Sequence, residues 1–399
     1  MKKLTVLLVH NYYLNPGGED VEFEAEKALL TQKGHKVITY IRRNSEIKNF
    51  KLKSLSAFFS AHWSRKTYKE LIELIKSTQP DLVHFHNTFL VVSPSAYYAC
   101  KKMKVPVIQT LQNFRLFCPG ATFYRKASLC EDCLNRIPPW PGLWRGCWRN
   151  SRLQTAVVAS LSTLHHWLKT WQNMVDVYIV QTKFHKKKFA EGGLPEEKLE
   201  IKPNMIIQKP KFAGEKPEKR FALFVGRLSP EKGVITLLEA WKSLKNIPLK
   251  ILGDGPLMNE VKTKIAQEKL TSINLLGWRP RNETIQTIGQ ANFLIFPSEW
   301  YEGLPLTIIE AFASGTPVIA SNIGAMSEII EDNLTGLHFP PGNHLELVEK
   351  IKWAWSHPQE MEKIAFNALD TYNNYYAPSK VYETLMKIFA KAMAANSRS

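Results

Sequence analysis

The stretch that most limits how this chain can fold is a strand followed closely by a helix, Phe293 to Ala313. Phe293-Leu-Ile-Phe296 is an unbroken apolar run, the pattern of a strand buried on both faces, and Leu306 to Ala313 has helical spacing. The residues between them form a strand-to-helix turn, and in open α/β sheets such turns at the carboxyl ends of strands are where ligands bind. Glu302 and Glu310 flank this turn. Gly303 lets backbone N–H groups approach a ligand closely, and Pro305 sets the start of the helix, whose first turn offers orphan donors and partial positive charge. The turn suits a phosphate, with two carboxylates left over for hydroxyls.

A chain of 399 residues, 44% hydrophobic, is too long for one core and fits two domains. It holds no uncharged apolar run long enough to span a membrane. Met1 to His10 has too short an apolar stretch for a signal peptide and no small-residue cleavage site, so Thr5 to His10 reads as the first strand. A loop with Gly17 and Gly18 follows, then a helix from about Val21 to Lys33 and a strand from Lys36 to Tyr40. The glycine pair therefore sits where a phosphate or sugar would lie, although it does not match the dinucleotide fingerprint. Strands Leu82 to His86, Val107 to Leu111 and Val177 to Val180 alternate with helices, as in a doubly wound sheet.

The second half repeats the alternation from Phe221. Its strands run into Gly226-Arg227-Leu-Ser-Pro-Glu-Lys232-Gly233, Gly253-Asp-Gly255-Pro256, Gly277-Trp-Arg-Pro and the turn at Glu302. Arg227 and Lys232 lie in one glycine-bounded loop, so both cations can point at one anion, the arginine as a planar fork and the lysine as a point charge. The expected fold is α/β: two facing Rossmann-like doubly wound domains. The first covers 1–206, with a cysteine-rich insertion at 112–151 and a C-terminal helix, 378–399, returning to it. A linker at 207–220 leads to the second domain, 221–377.

Net charge is +17 and uneven. Between Lys101 and Ala190 stand 15 Lys or Arg against 3 acids, a local excess of +12, with five of the eleven tryptophans. Basic residues among Trp suit an anionic membrane surface, a polyanion or nucleic acid. Apolar stretches such as Ala156 to Leu161, which a nucleic-acid groove does not need, favour the membrane surface. Cys118, Cys130, Cys133 and Cys147 fall within 30 residues. The Cys130-Glu-Asp-Cys133 gap is that of a zinc half-site, and without a secretory signal zinc or free thiols are favoured over disulfides.

The loop at Gly226 to Gly233, Gly253-Asp-Gly-Pro256, Glu302-Gly-Leu-Pro-Leu-Thr-Ile-Ile-Glu310-Ala and Gly315-Thr-Pro-Val-Ile-Ala together resemble the motifs of the retaining family 4 glycosyltransferases of GT-B fold. The cysteine insertion and His84-Phe-His-Asn87 resemble a bacterial polysaccharide-synthesis branch. The resemblance implies a metal-independent hexosyltransferase taking a nucleotide-diphosphate sugar, with a lipid-linked or saccharide acceptor. With the basic, Trp-rich region against the bilayer, the protein is expected in the cytoplasm at the inner face of the membrane, with no nucleic-acid partner. Arg227 and Lys232 would hold the diphosphate and Glu302 the sugar hydroxyls. Gly303 and Leu304, entering the helix through Pro305, would meet phosphate or sugar by their backbone, and Glu310 would bind the ribose. Gly255 would join the donor site, and Gly17 and Gly18 would close over the donor.

One position departs from the pattern. Where the family usually has a histidine after the strand ending Thr110-Leu111, this chain has Gln112, which hydrogen-bonds but does not titrate near neutrality. An altered donor preference, a tolerated swap and lost activity are the alternatives, with His10, His84 and His86 on other strand ends as candidate substitutes. A silent sugar-nucleotide-binding protein and a GT-B-type epimerase remain the competing functions.

Overall fold

The structure is a computed structural model describing residues 2–14, 17–49, 55–206 and 220–396. All but residue 220 of the expected linker lies outside the described residues. The chain divides into two compact units: 1–123, 130–205 and 378–399 in the first, 124–129 and 206–377 in the second.

The first unit is built on a six-stranded parallel sheet of β1 (Thr5–Tyr12), β2 (Lys36–Arg43), β3 (Leu82–Phe85), β4 (Val107–Thr110), β7 (Val177–Val180) and β8 (Leu199–Ile201). A short antiparallel hairpin, β5 (Tyr124–Arg125) and β6 (Ser128–Leu129), lies between β4 and β7 in sequence. Strand order is β2-β1-β3-β4-β7-β8, and it reverses between β1 and β3. Burial explains why the sheet is parallel: every residue of β3, β4 and β7 is buried, as expected of strands covered on both faces. The helix Gly18–Gln32 carries β1 to β2, and Ser64 caps the helix Arg65–Thr78 by accepting from the Thr67 N–H.

The second unit has a parallel sheet of β9 (Ala222–Val225), β10 (Leu249–Leu252), β11 (Ile273–Gly277), β12 (Phe293–Phe296), β13 (Val318–Ser321) and β14 (Gly336–Phe339). Its order is β11-β10-β9-β12-β13-β14, the doubly wound arrangement with its reversal between β9 and β12. The loops leaving these two strands are Gly226–Gly233 and Pro297–Pro305. The expected phosphate loops thus stand side by side at the switch point.

Two edge strands, β8 and β14, escape a reading from the sequence, because Leu-Glu-Ile and Gly-Leu-His-Phe are short and lack the unbroken apolar run that marks β12. The apolar spacing from Arg152 to about Trp171 predicts one long helix, which the structure breaks. It ends at Trp167, Lys169 takes a left-handed conformation, and a separate turn covers Thr170–Asn173. The insertion also departs from its expected place, since residues 124–129 group with the second unit. A two-stranded ribbon has no core of its own and takes its contacts from a larger body.

The helix Pro378–Asn396 belongs to the first unit, although residues 206–377 of the second unit come before it in the chain. Val381, Leu385, Ile388, Phe389 and Ala392 recur at helical spacing and pack against Leu4, Val6, Leu8 and Ile108. Burying each of the larger side chains contributes about 1.5–3 kcal/mol. Phe389 is fully buried. Phe389→Ala is expected to cost about 3–5 kcal/mol in urea unfolding of the first unit; a loss below about 1 kcal/mol would mean the helix is not part of that core.

Candidate nucleotide-sugar site

In the second unit, two loops are locked together by backbone proximity before any side chain is considered. Gly233 has φ +68°, and a Cβ there would lie 1.8 Å from the Pro297 carbonyl oxygen. Only glycine fits both the left-handed backbone and that approach. The Glu231 carbonyl accepts from the Glu299 N–H at 2.8 Å and from Ser298 Oγ at 3.2 Å. Gly253 and Gly255 do the same for the neighbouring loop: added Cβ atoms would meet Gly226 O at 1.8 Å and Leu228 O at 2.4 Å. Gly255 is therefore explained here by loop packing.

This closure brings Lys232 Nζ to 2.5 Å from Glu302 Oε1, and Ser298 Oγ donates to the same oxygen at 2.7 Å. Glu302 is buried, Lys232 is half-buried, and its ammonium lies 5.2 Å from the Trp300 ring centroid. A carboxylate fixed by a hydroxyl and an ammonium keeps lone pairs for a ligand hydroxyl, while the ammonium keeps donors for an anion. Arg227 is exposed, and among the described residues its side chain has no hydrogen bond or ion pair. Its fork is unengaged beside the pair.

Pro305 is the N-cap, one position before the helix Leu306–Ala313, and its carbonyl accepts from the Ile308 N–H. Gly303 and buried Leu304 precede it in the turn. Glu310 is buried within this helix, and Arg281 Nη2 reaches its Oε1 at 2.7 Å. Burial raises the Glu310 carboxyl above the usual range, and the Arg281 guanidinium partly offsets this. Arg281 and Ser298 were not among the sequence-derived candidates. Ser298 borders the motif, whereas Arg281 lies 29 positions from its partner with no pattern to connect them.

In the first unit, Gly17 caps the helix Gly18–Gln32, and its N–H donates to Asp20 Oδ2 at 3.0 Å. A Cβ at Gly17 or Gly18 would meet nothing within 4 Å, so the glycines leave open space there. Asp20 Oδ1 contacts His10 Nε2 at 2.7 Å. Behind them lies a buried charged cluster. Lys202 Nζ is 2.8 Å from Glu22 Oε1 and 3.3 Å from Glu26 Oε2, while Glu26 Oε1 is 2.6 Å from His84 Nδ1 and 3.3 Å from His86 Nε2. Burial pushes the Glu26 carboxyl up, but the histidines and Lys202 hold it well below its usual range. The signal for this cluster is Glu22 and Glu26 at helical spacing on the stripe that continues as Leu29 and Leu30.

Gln112 follows β4. Its Oε1 lies 3.4 Å from Asn204 Nδ2, and its Nε2 is buried without a partner among the described residues. His10, His84 and His86 are fully or almost fully buried and engaged with acids or Thr110, so they do not stand in for the missing histidine.

The expected zinc site is not assembled. Cys118, Cys130 and Cys147 are near enough to Cys133 to raise its thiol further, after burial, to about 12. No three of these sulfurs lie within 4.8 Å of one another, whereas sulfurs on one zinc ion stand about 3.8 Å apart. The Cys133 sulfur instead accepts from the Gly142 N–H at 3.2 Å. The group of metal-capable side chains that does meet that distance among the described residues is Glu26, His84 and His86, and there the Lys202 ammonium already supplies the positive charge.

The basic, Trp-rich region is divided. Trp148 and Trp171 are core residues, while Trp140, Trp144 and Trp167 are 55%, 71% and 70% exposed. Arg152 lies over the Trp144 ring at 5.1 Å and Arg136 over Trp140 at 5.2 Å. Leu153, Leu164 and Leu168 are exposed nearby in sequence. Among the described residues no helix is long and apolar enough to cross a membrane.

With this geometry in hand, the chain can be set beside known proteins. Residues 206–370 match the family model for glycosyl transferases group 1, and residues 27–207 match Glycosyltransferase Family 4. Both halves carry glycosyltransferase domains. The D-rhamnosyltransferase WbpZ of Pseudomonas aeruginosa is 30% identical over 176 residues, covering 44% of this chain and 46% of that protein. The alpha-monoglucosyldiacylglycerol synthase of Streptococcus pneumoniae is 23% identical over 344 residues, 83% of this chain and 74% of that one. The chain spans less than half the length of the curated relatives it matches at 30% identity or more. The structure of Anabaena HepE in complex with UDP shares the fold, with a TM-score of 0.68 at 16% identity over 97% of this chain and all of that one. The architecture is therefore GT-B.

The glycine at the loop contact gives a direct check. Gly233→Ala is expected to abolish thermal stabilisation by nucleoside diphosphates while far-UV circular dichroism stays unchanged; undiminished stabilisation would separate the loop closure from binding.

Proposed function

We propose that this chain is a retaining, metal-independent glycosyltransferase that moves a sugar from a nucleotide diphosphate to a lipid-linked acceptor in bacterial cell-surface polysaccharide synthesis. The observation that carries the reading is the Lys232–Glu302 pair at the switch point of the second sheet, with exposed Arg227 in the same loop as Lys232 and buried Glu310 in the helix that follows Glu302. Arg227 and Lys232 take the diphosphate, whose charge grows as it leaves the sugar carbon; stabilising that growth is what accelerates transfer. Glu302 holds a sugar hydroxyl, and the backbone at Gly303 and Leu304 meets phosphate or sugar at the head of the helix. Gln112, Gly17 and Gly18 are donor-binding residues of the first unit, and in the second unit Glu310 takes the ribose. The acceptor hydroxyl attacks from the face the diphosphate leaves, and its proton passes to a departing phosphate oxygen.

Similarity to the Streptococcus pneumoniae alpha-monoglucosyldiacylglycerol synthase and to an amylovoran biosynthesis glycosyltransferase of Erwinia amylovora supports an acceptor of this kind. The exposed Trp and Arg face of the first unit suits an anionic bilayer surface: each basic residue near such a surface contributes about 1 kcal/mol. The protein acts from the cytoplasmic face, where the nucleotide sugar is available. Vesicle sedimentation tests this arm. Trp144→Ala with Trp167→Ala is expected to weaken binding to phosphatidylglycerol vesicles at least about fivefold, and equal sedimentation would remove the membrane from the proposal.

The catalytic arm is tested by turnover. Lys232→Ala and Glu302→Gln, assayed with a nucleotide-sugar panel, are each expected to lower kcat/KM by about 100-fold or more, the size of losing one preorganised charge contact in a transition state. Unchanged turnover in either variant refutes the assignment. Donor binding without turnover in the unaltered chain, restored by Gln112→His, would instead establish a silent sugar-nucleotide-binding protein.

A further inference from the structure

Two charges in the second unit stand where elementary electrostatics disfavours them. Arg281 is the first residue of the helix Arg281–Gln290, with Pro280 as its N-cap, so a cation occupies the positive end of a helix dipole. Glu310 sits inside the helix Leu306–Ala313 with a side chain 9% exposed, where a carboxylate loses most of its hydration. Each placement is unfavourable alone. Together they make one contact, Arg281 Nη2 to Glu310 Oε1 at 2.7 Å, and among the described residues no other side chain forms an ion pair or hydrogen bond with the Glu310 carboxylate. Oε2 is left for another donor.

We propose that Arg281 is a positioning residue for nucleotide recognition, holding the Glu310 carboxylate charged and turned so that its second oxygen accepts a hydroxyl of the nucleotide ribose. The inference rests on the reading of this site as the donor site. Arg281 follows β11 through the exposed Trp278, at the carboxyl edge of the same sheet. Its side chain is 39% exposed, so it can hold Glu310 while remaining in contact with solvent. A neutral or rotated Glu310 would donate or turn away, and the site would cease to distinguish a ribose from its deoxy form. Loss of Arg281 therefore acts on ribose discrimination through Glu310 and needs no contact between Arg281 and the nucleotide.

The test is calorimetric binding of the nucleoside diphosphate bound tightest from a panel of UDP, GDP, ADP and TDP, together with its 2′,3′-dideoxy counterpart. The unaltered chain should favour the ribonucleotide by about tenfold, the worth of a charge-assisted hydrogen bond. Arg281→Ala should bring that preference to within about twofold, and Arg281→Lys should recover at least half of it on a logarithmic scale. Glu310→Ala serves as the reference. If it abolishes the preference and Arg281→Ala leaves it at tenfold, the role of Arg281 is overturned while the donor-site reading stands. If Glu310→Ala itself leaves affinity and preference intact, or the unaltered chain binds none of the four nucleotides, the donor-site reading fails and takes the inference with it.

Discussion

The second unit depends on one close approach, Gly233 against the carbonyl of Pro297. No other residue type lets the loop leaving β9 lie on the loop leaving β12, because a Cβ would fall 1.8 Å from that oxygen. The rest of the site follows from this contact. The Glu231 carbonyl can then take the Glu299 N–H, Ser298 can bond both Glu231 and Glu302, and Lys232 can meet Glu302 across the two loops. Strand order supplies the setting. The strand order reverses between these two parallel strands, which leaves a crevice at their carboxyl ends for a ligand.

The first unit solves a different problem with buried charge. Glu22, Glu26, Lys202, His84 and His86 lie among apolar neighbours, where single ions would be costly and compensated ones are tolerated. Glu26 touches both His84 and His86, and Lys202 joins Glu22 to Glu26. The helix after the glycine pair is thereby tied to β3 and to the segment leaving β8. Asp20 links the end of β1, through His10, to the Gly17 N–H. The loop that leaves open space at Gly17 and Gly18 is thus set on a rigid base.

Much of this was legible in the chain. Buried parallel strands declare themselves by unbroken apolar runs, which is why β12 and its helix could be placed to the residue. Loops of the type Gly-Arg-x-x-x-x-Lys-Gly carry their chemistry in their composition. Two edge strands, β8 and β14, were hidden because Glu200 interrupts one and Gly336 and His338 interrupt the other, leaving no unbroken apolar run. The Arg152 helix looked longer than it is because Lys169 adopts a left-handed turn that its residue type does not announce. The cysteine spacing suggested a metal, yet spacing along the chain does not fix distances between sulfurs, and Gly142 and Arg145 engage two of the thiols instead.

By itself the sequence determined two doubly wound sheets, the loops that carry Arg227, Lys232 and Glu302, and an uneven basic surface. These are properties of local pattern and composition, and neighbouring residues are enough to specify them. Tertiary structure alone decided which distant groups meet: Lys202 with Glu22 and Glu26, Arg281 with Glu310, and which tryptophans face solvent. Such pairings join residues 29 and 180 positions apart in the chain and depend on how the sheets and helices are ordered. The physical reason is that a buried charge is stabilised by whatever partner the fold delivers within hydrogen-bonding distance, and no local preference encodes that partner.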